Sequence, residues 1–141
     1  MPTRNASAQW EGGLKGGKGS FKTQSGLGAA YNFAGRFENG SGSNPEELLA
    51  AAHAACFSMA LSGALEKAGT PPTRVQTEAA CTVDKVGDGF KITKMLLTVR
   101  ATAPGLDDAG LQKAAQAAKE GCPVSGALKG GVSIEMTATL G

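Results

Sequence analysis

Three cysteines and a single histidine carry most of the covalent chemistry open to this chain. Cys122 lies in Gly121-Cys122-Pro123-Val124. A proline at a first helical position makes Cys122 the N-cap of the helix that follows. Its sulfur then faces unpaired N–H groups and the positive end of the helix, and both lower a thiol pKa from its ordinary value of about 8.5. Cys56 lies in Ala51-Ala52-His53-Ala54-Ala55-Cys56-Phe57, deep in a run that predicts helix. Its own helix dipole helps little there, so a reactive thiolate needs a cation brought from elsewhere. A buried, inert apolar residue is the commoner fate of a helical cysteine among Ala and Met.

His53 stands one helical turn before Cys56 and on the same face. A Cys–His pair suits nucleophilic catalysis or half of a metal site. No orienting acid is apparent, and no short Cys-x-x-Cys spacing seeds a metal site. No metal and no cofactor is therefore expected, and His53 reads as a histidine at a packing surface. Cys81 falls on the Val75/Ala79/Val83 face of a strand and reads as core. Arg36 sits between Gly35 and Phe37 in an otherwise uncharged segment. It is either a solvated edge-strand arginine or the cation that Cys56 lacks.

The elements that must position these residues are legible in outline. Ala6–Trp10 and Gly19–Thr23 read as short strands joined across a glycine-rich turn, and 30–37 as a third extended piece, Gly35-Arg36-Phe37 included. Asn44-Pro45-Glu46-Glu47 is a strong helix start: a capping Asn, a Pro where its missing N–H costs nothing, and two carboxylates at the positive helix end. Gly69 and Pro71-Pro72 stop the helix. Over 45–68 it is apolar almost all round and must be buried, and its many alanines permit close approach of another backbone. Residues 75–84 alternate as a strand, Gly87-Asp88-Gly89 turns it, and 90–102 returns. A helix capped by Asp107 or Asp108 runs to about Glu120, a short one covers 123–129, and 132–140 is a last strand. The order predicts an α+β fold in one domain, 1–141.

Composition narrows the function. The net charge is +2, with no run of basic residues and no stacking platform, which argues against nucleic-acid binding. The apolar stretches are broken by His53, Ser58 and Ser62, so none resembles a membrane span, and no apolar stretch follows the N-terminus as a secretory signal. A cytoplasmic location is expected, where a structural disulfide is improbable. Hydrophobic residues make up 41%, but much of that is alanine and only 5% is aromatic. So thin a core points to burial against a second copy, a homodimer.

Several of these pieces resemble one family. Gly35-Arg36-Phe37-Glu38, Asn44-Pro45-Glu46-Glu47-Leu48, Ala51 to Leu61 and Cys122-Pro123-Val124-Ser125 are similar to the OsmC/Ohr (osmotically inducible / organic hydroperoxide resistance) peroxidases. The Ala-His-Ala-Ala-Cys-Phe-Ser-Met wording is nearest the OsmC branch, and Trp10-Glu11-Gly12, Lys18-Gly19 and Asp84-Lys85-Val86 extend the match. The resemblance implies a thiol-dependent peroxidase acting on organic hydroperoxides, with Cys56 peroxidatic and Cys122 resolving. It further implies Arg36 as the activating arginine, Glu46 as its carboxylate partner, and an external dithiol, such as a dihydrolipoyl protein, as reductant. The implied fold is an intertwined α+β homodimer, with antiparallel sheets around two long central helices. Cys81 is outside the pattern.

One geometric expectation can be added. Glu46 and Cys56 lie ten residues apart on one helix, hence about 15 Å along the axis and about 80° apart in azimuth. The Arg36–Glu46 pair serving one Cys56 is therefore expected from the other subunit. Two further readings stay open. One is a non-catalytic dimer whose apolar pocket binds a small hydrophobic ligand. The other is a redox sensor in which the disulfide is a signal.

Overall fold

A computed structural model describes residues 1–141. They divide into two compact units, Met1–Glu47 and Leu48–Gly141. The first holds a three-stranded antiparallel meander of β1 (Ala6–Glu11), β2 (Lys18–Thr23) and β3 (Gly28–Tyr31). Gly19 pairs with both Trp10 and Tyr31, whose rings lie 5.4 Å apart. A Cβ at Gly19 would stand 2.6 Å from each of those rings, so only glycine lets them close over the strand.

After β3 the chain departs from expectation. Phe33–Phe37 is a short helix, α1, where an extended piece was expected. Asn32 causes it: with extended backbone, its Oδ1 accepts the Gly35 N–H at 2.7 Å and so caps the first turn. The long helix α2 then runs from Pro45 to Lys67. Asn44 caps it by accepting the Glu47 N–H at 2.8 Å, and its Nδ2 donates to the Gly35 carbonyl at 3.2 Å. One asparagine thus ties the start of α2 to α1.

The second unit holds a sheet in the order β4 (Arg74–Val86), β5 (Gly89–Thr102), β6 (Ser133–Leu140). Gly87, at φ +61°, opens the tight turn between β4 and β5, which pair antiparallel. The third strand corrects the expectation of purely antiparallel sheets, because β6 pairs parallel to β5. The connection explains it: α3 (Asp108–Gly121) and α4 (Pro123–Leu128) supply the crossover that a parallel pair requires.

The core of this unit follows the two periodicities of its elements. Met95, Leu97, Val99 and Ala101 alternate inward along β5 and are buried. Phe57, Leu61 and Leu65 recur every fourth residue on α2, and Leu111, Ala114, Ala115 and Ala118 form the apolar face of α3. Each large side chain among them stabilises the fold by about 1.5–3 kcal/mol relative to exposure. Cys81 packs at the edge of this cluster, half-buried.

Only one face of α2 is covered within the chain. Ala51, Ala52, Ala55 and Gly63 are exposed, and Met59 is 79% exposed. By length and composition alone α2 is apolar enough to cross a membrane, a property the sequence reading discounted because polar residues interrupt it. Three of those polar residues have structural places: His53 is wholly buried on the core face, Ser58 donates to Thr77 on β4, and Ser62 is half-buried.

Candidate active site

The expected site residues form two constellations, one in each unit. In the first, Arg36 closes α1 and Glu46 opens α2. The Arg36 Nε–H donates to Glu46 Oε1 and Oε2 at 3.1 and 3.3 Å, and its Nη2 donates to Oε1 at 3.0 Å. This is a fork in which both carboxylate oxygens are engaged. Glu46 is buried, whereas the arginine side chain is 37% exposed, so the guanidinium keeps an open side. Its Cζ lies 4.8 Å from the Phe37 ring centre. Beside it, Trp10, Leu14, Tyr31, Phe33 and Phe37 line a pocket of about 220 Å³. Two glycines make the turn around α1 possible: a Cβ on Gly35 would meet the Ser41 carbonyl oxygen at 2.6 Å, and one on Gly40 the Ala34 backbone at 2.7 Å.

In the second unit the two sulfurs meet. Cys56 Sγ and Cys122 Sγ are 3.1 Å apart, both as free thiols. Cys122 occupies a corner. Its N–H donates to the Ala118 carbonyl at 2.8 Å as the C-cap of α3, and its own carbonyl accepts the Gly126 N–H at 3.0 Å as the N-cap of α4. The residue before a proline is biased away from the helical region, and Cys122 is extended, at φ −70° and ψ 119°. Its side chain makes no capping hydrogen bond to α4, although the sequence placed its sulfur against the free N–H groups of that helix. The Val124 amide pulls the Cys56 thiol down, and the Ser125 and Val124 amides pull the Cys122 thiol down. The first turn of α4 serves both sulfurs, which sequence reasoning did not anticipate for Cys56.

The two thiols are not equivalent. Burial pushes Cys56 up; the Val124 N–H pulls it partly back, and Cys122 beside it pushes it up further. Burial also raises Cys122, but hydrogen bonds from the Ser125 N–H, the Cys56 thiol, the Ser125 hydroxyl and the Val124 N–H outweigh it. Cys122 therefore lies below the ordinary thiol range.

Ser125 is the residue the sequence reading passed over. It is buried, and its Oγ lies 2.7 Å from His53 Nε2. Its signals were its position, three residues after a helix cap, and its place at the end of the Cys122-Pro123-Val124-Ser125 segment. His53 is wholly buried, and burial lowers its pKa, so the ring is neutral near pH 7. No group of three or more metal-ligating side chains forms.

A two-sheet α+β fold with a thiol pair at a helix corner defines the class, and comparison with known proteins gives the family. A model of the OsmC-like protein family matches residues 38–137. The chain belongs to the OsmC-like family. It is 47% identical over 134 residues to peroxiredoxin OsmC of Escherichia coli (strain K12), covering 94% of both chains. It is 33% identical over 99 residues to the organic hydroperoxide resistance protein of Xanthomonas axonopodis pv. citri (strain 306), covering 70% of this chain and 68% of the other. The crystal structure of the organic hydroperoxide resistance protein OhrB of Bacillus subtilis superposes with a TM-score of 0.76 at 28% identity, over 96% and 98% of the two chains.

Proposed function

We propose that this chain, a single domain over 1–141, is a cysteine-dependent peroxidase that reduces organic hydroperoxides to alcohols. The observation that carries the reading is the 3.1 Å contact between Cys56 and Cys122 in a member of the OsmC-like family. The names of its relatives, peroxiredoxin and organic hydroperoxide resistance protein, point the same way.

The Cys56 thiolate attacks the distal oxygen of ROOH, the O–O bond breaks, and the alkoxide leaves and takes a proton to become ROH. Cys56 is left as a sulfenic acid. The Cys122 thiolate attacks the Cys56 sulfur, and hydroxide leaves as water with the proton Cys122 gave up. A disulfide bond is about 2.05 Å long, so a closure of about 1 Å suffices from the 3.1 Å contact. An external dithiol, for example a dihydrolipoyl group, returns the two electrons.

Attack by Cys56 requires that it, rather than Cys122, hold the negative charge. A cation beside Cys56 offsets the burial that raises its thiol, and Arg36 is the candidate. Its guanidinium is permanently charged and has donors left for peroxide oxygens, and Glu46 fixes its plane. More than two turns of α2 separate Glu46 from Cys56, so the pair is assigned to the Cys56 of a second copy. The uncovered face of α2, with Ala51, Ala55, Met59 and Gly63, supports an intertwined homodimer built on two central helices. The aromatic pocket beside Arg36 suits an apolar R group. A cytoplasmic site of action fits a thiol pair kept reduced between turnovers.

The test is mass spectrometry after one equivalent of cumene hydroperoxide. Loss of two thiols and a Cys56–Cys122 crosslink within one chain is expected, with sustained consumption in excess dithiol that Cys56→Ser abolishes. An unreacted Cys56 in the native protein rejects the reading in favour of a ligand-binding dimer. Crosslinking without turnover would indicate a sensor.

A further inference from the structure

The loop between β1 and β2, residues 12–17, takes no part in the reaction as written, yet it is built to one shape. The Gly13 carbonyl accepts two hydrogen bonds, from the Gly17 N–H at 2.8 Å and from the Trp10 indole N–H at 3.3 Å. A Cβ at Gly17 would stand 2.6 Å from the Glu11 carbonyl oxygen and 2.7 Å from the indole nitrogen, so only glycine lets the loop close against Trp10. The tip held in this way presents two adjacent side chains to the aromatic pocket. Leu14 lines it. Lys15 sets its Nζ 5.8 Å from the centre of the Phe33 ring. A cation at that distance is attracted by the face of the ring, which places the ammonium without neutralising it. Neither ion pair in the structure involves Lys15, so no carboxylate matches its charge.

The pocket therefore has a cation beside each of two neighbouring rings. The Phe33 and Phe37 ring centres are 5.2 Å apart, with Lys15 against the first and the Arg36 Cζ 4.8 Å from the second. Glu46 offsets the charge of Arg36. A purely apolar hydroperoxide would use Arg36 and the rings and leave Lys15 idle. Resting on the peroxidase reading, we propose that Lys15 is a specificity-determining residue, selecting hydroperoxides whose apolar body carries a carboxylate away from the O–O bond. The peroxide oxygens meet Arg36, the body lies along Phe33 and Phe37, and the carboxylate meets the ammonium. One ammonium balances one negative charge, and its three rotatable donors impose no fixed plane on the acceptor. The chain of ring contacts bounds the span between the two cations, which favours a ring-sized body over a long chain. Lys15 is exposed, so the selection is modest.

Trp10 lines the same pocket and is the only tryptophan, so its fluorescence reads ligand entry without any peroxide. The probes are cumyl alcohol and para-carboxycumyl alcohol, the products that cumene hydroperoxide and its para-carboxylate would give. The carboxylate should bind the native protein about two- to fivefold tighter than the neutral alcohol. Raising the salt from about 0.02 to about 0.5 M should erase most of that preference. Lys15→Gln should abolish it, and Lys15→Glu should invert it. Lys113→Gln, an equal change of charge on α3, should leave it unaltered. In turnover with excess dithiol, the same preference should separate the two hydroperoxides. It should lie in KM, with kcat within about twofold, because the carboxylate is held equally in ground and transition states. Equal affinity for the two alcohols in the native protein overturns the proposal. So does a Lys113→Gln variant that loses as much preference as Lys15→Gln. A native protein that shows the binding preference but consumes neither hydroperoxide would remove the peroxidase reading alone and leave Lys15 as the reader of the carboxylate.

Discussion

Glu46→Gln separates the charge of the Arg36–Glu46 pair from its shape. The glutamine retains an acceptor for Arg36 Nη2 at the position now 3.0 Å away, but the oxygen at 3.3 Å from Nε becomes an amide that faces an N–H donor. One charge-assisted contact is lost and the two to the remaining oxygen are weakened. Such bonds contribute about 1.5–3 kcal/mol when buried. The arginine is 37% exposed, so solvent screening reduces the figure to about 1–2 kcal/mol. If the carboxylate acts by fixing the guanidinium against the reacting sulfur, that energy appears in the barrier, and kcat/KM for cumene hydroperoxide falls about five- to thirtyfold. The substitution also removes a carboxylate from the positive end of α2, at about 0.3–1 kcal/mol. Glu47→Gln is the control, because Glu47 sits in the same first turn and bonds Ser43 rather than Arg36. Initial rates of hydroperoxide loss in excess dithiol, with urea midpoints for both variants, separate the two contributions. Glu46→Gln within twofold of Glu47→Gln in kcat/KM would refute the assignment of Arg36 and Glu46 to the reaction.

Leu61→Ala empties a wholly buried position on the core face of α2, and should cost about 2–5 kcal/mol in chemical denaturation. Met59→Asp tests the uncovered face: a free surface would tolerate it within about 0.5 kcal/mol, whereas a dimer interface predicts dissociation on sedimentation and loss of peroxide consumption together. Stability should fall as pH drops below about 6.5, the ordinary histidine value. The folded state holds the His53 pKa below that value, so the unfolded chain binds the proton first and gains from it. Urea midpoints measured in steps from pH 7 to pH 5 should show the fall in the native protein and less of it in His53→Gln.

Much of the frame was legible because it rests on local rules. Asn44-Pro45-Glu46-Glu47 announced α2 by cap, proline and charge, and Cys122-Pro123 announced a capped corner. Other features depend on tertiary context. Gly35 and Phe37 disguised α1 as extended chain, although Asn32 was there as a capping signal. The parallel pairing of β6 follows from a crossover whose path no periodicity states. The meeting of the two sulfurs could not be read from spacing, since α2 and the α3–α4 corner come together only across a shared core. Ser125 was invisible for a different reason: a serine early in a helix has so many ordinary uses that only the 2.7 Å contact with a buried histidine singles it out.

Pro123 contributes no reactive atom, yet it decides where one sits. Were Cys122 free to enter the helical region, its ψ of 119° would swing through about 160° to a helical value, and α3 and α4 could run on as one rod. The pyrrolidine ring disfavours that rotation by collision. A position held by steric exclusion does not depend on the charge of the group it holds. Through the proposed cycle, in which the sulfur is in turn thiolate, disulfide and thiolate again, the electrostatics around it change at every step, but the wedge that aims it stays the same.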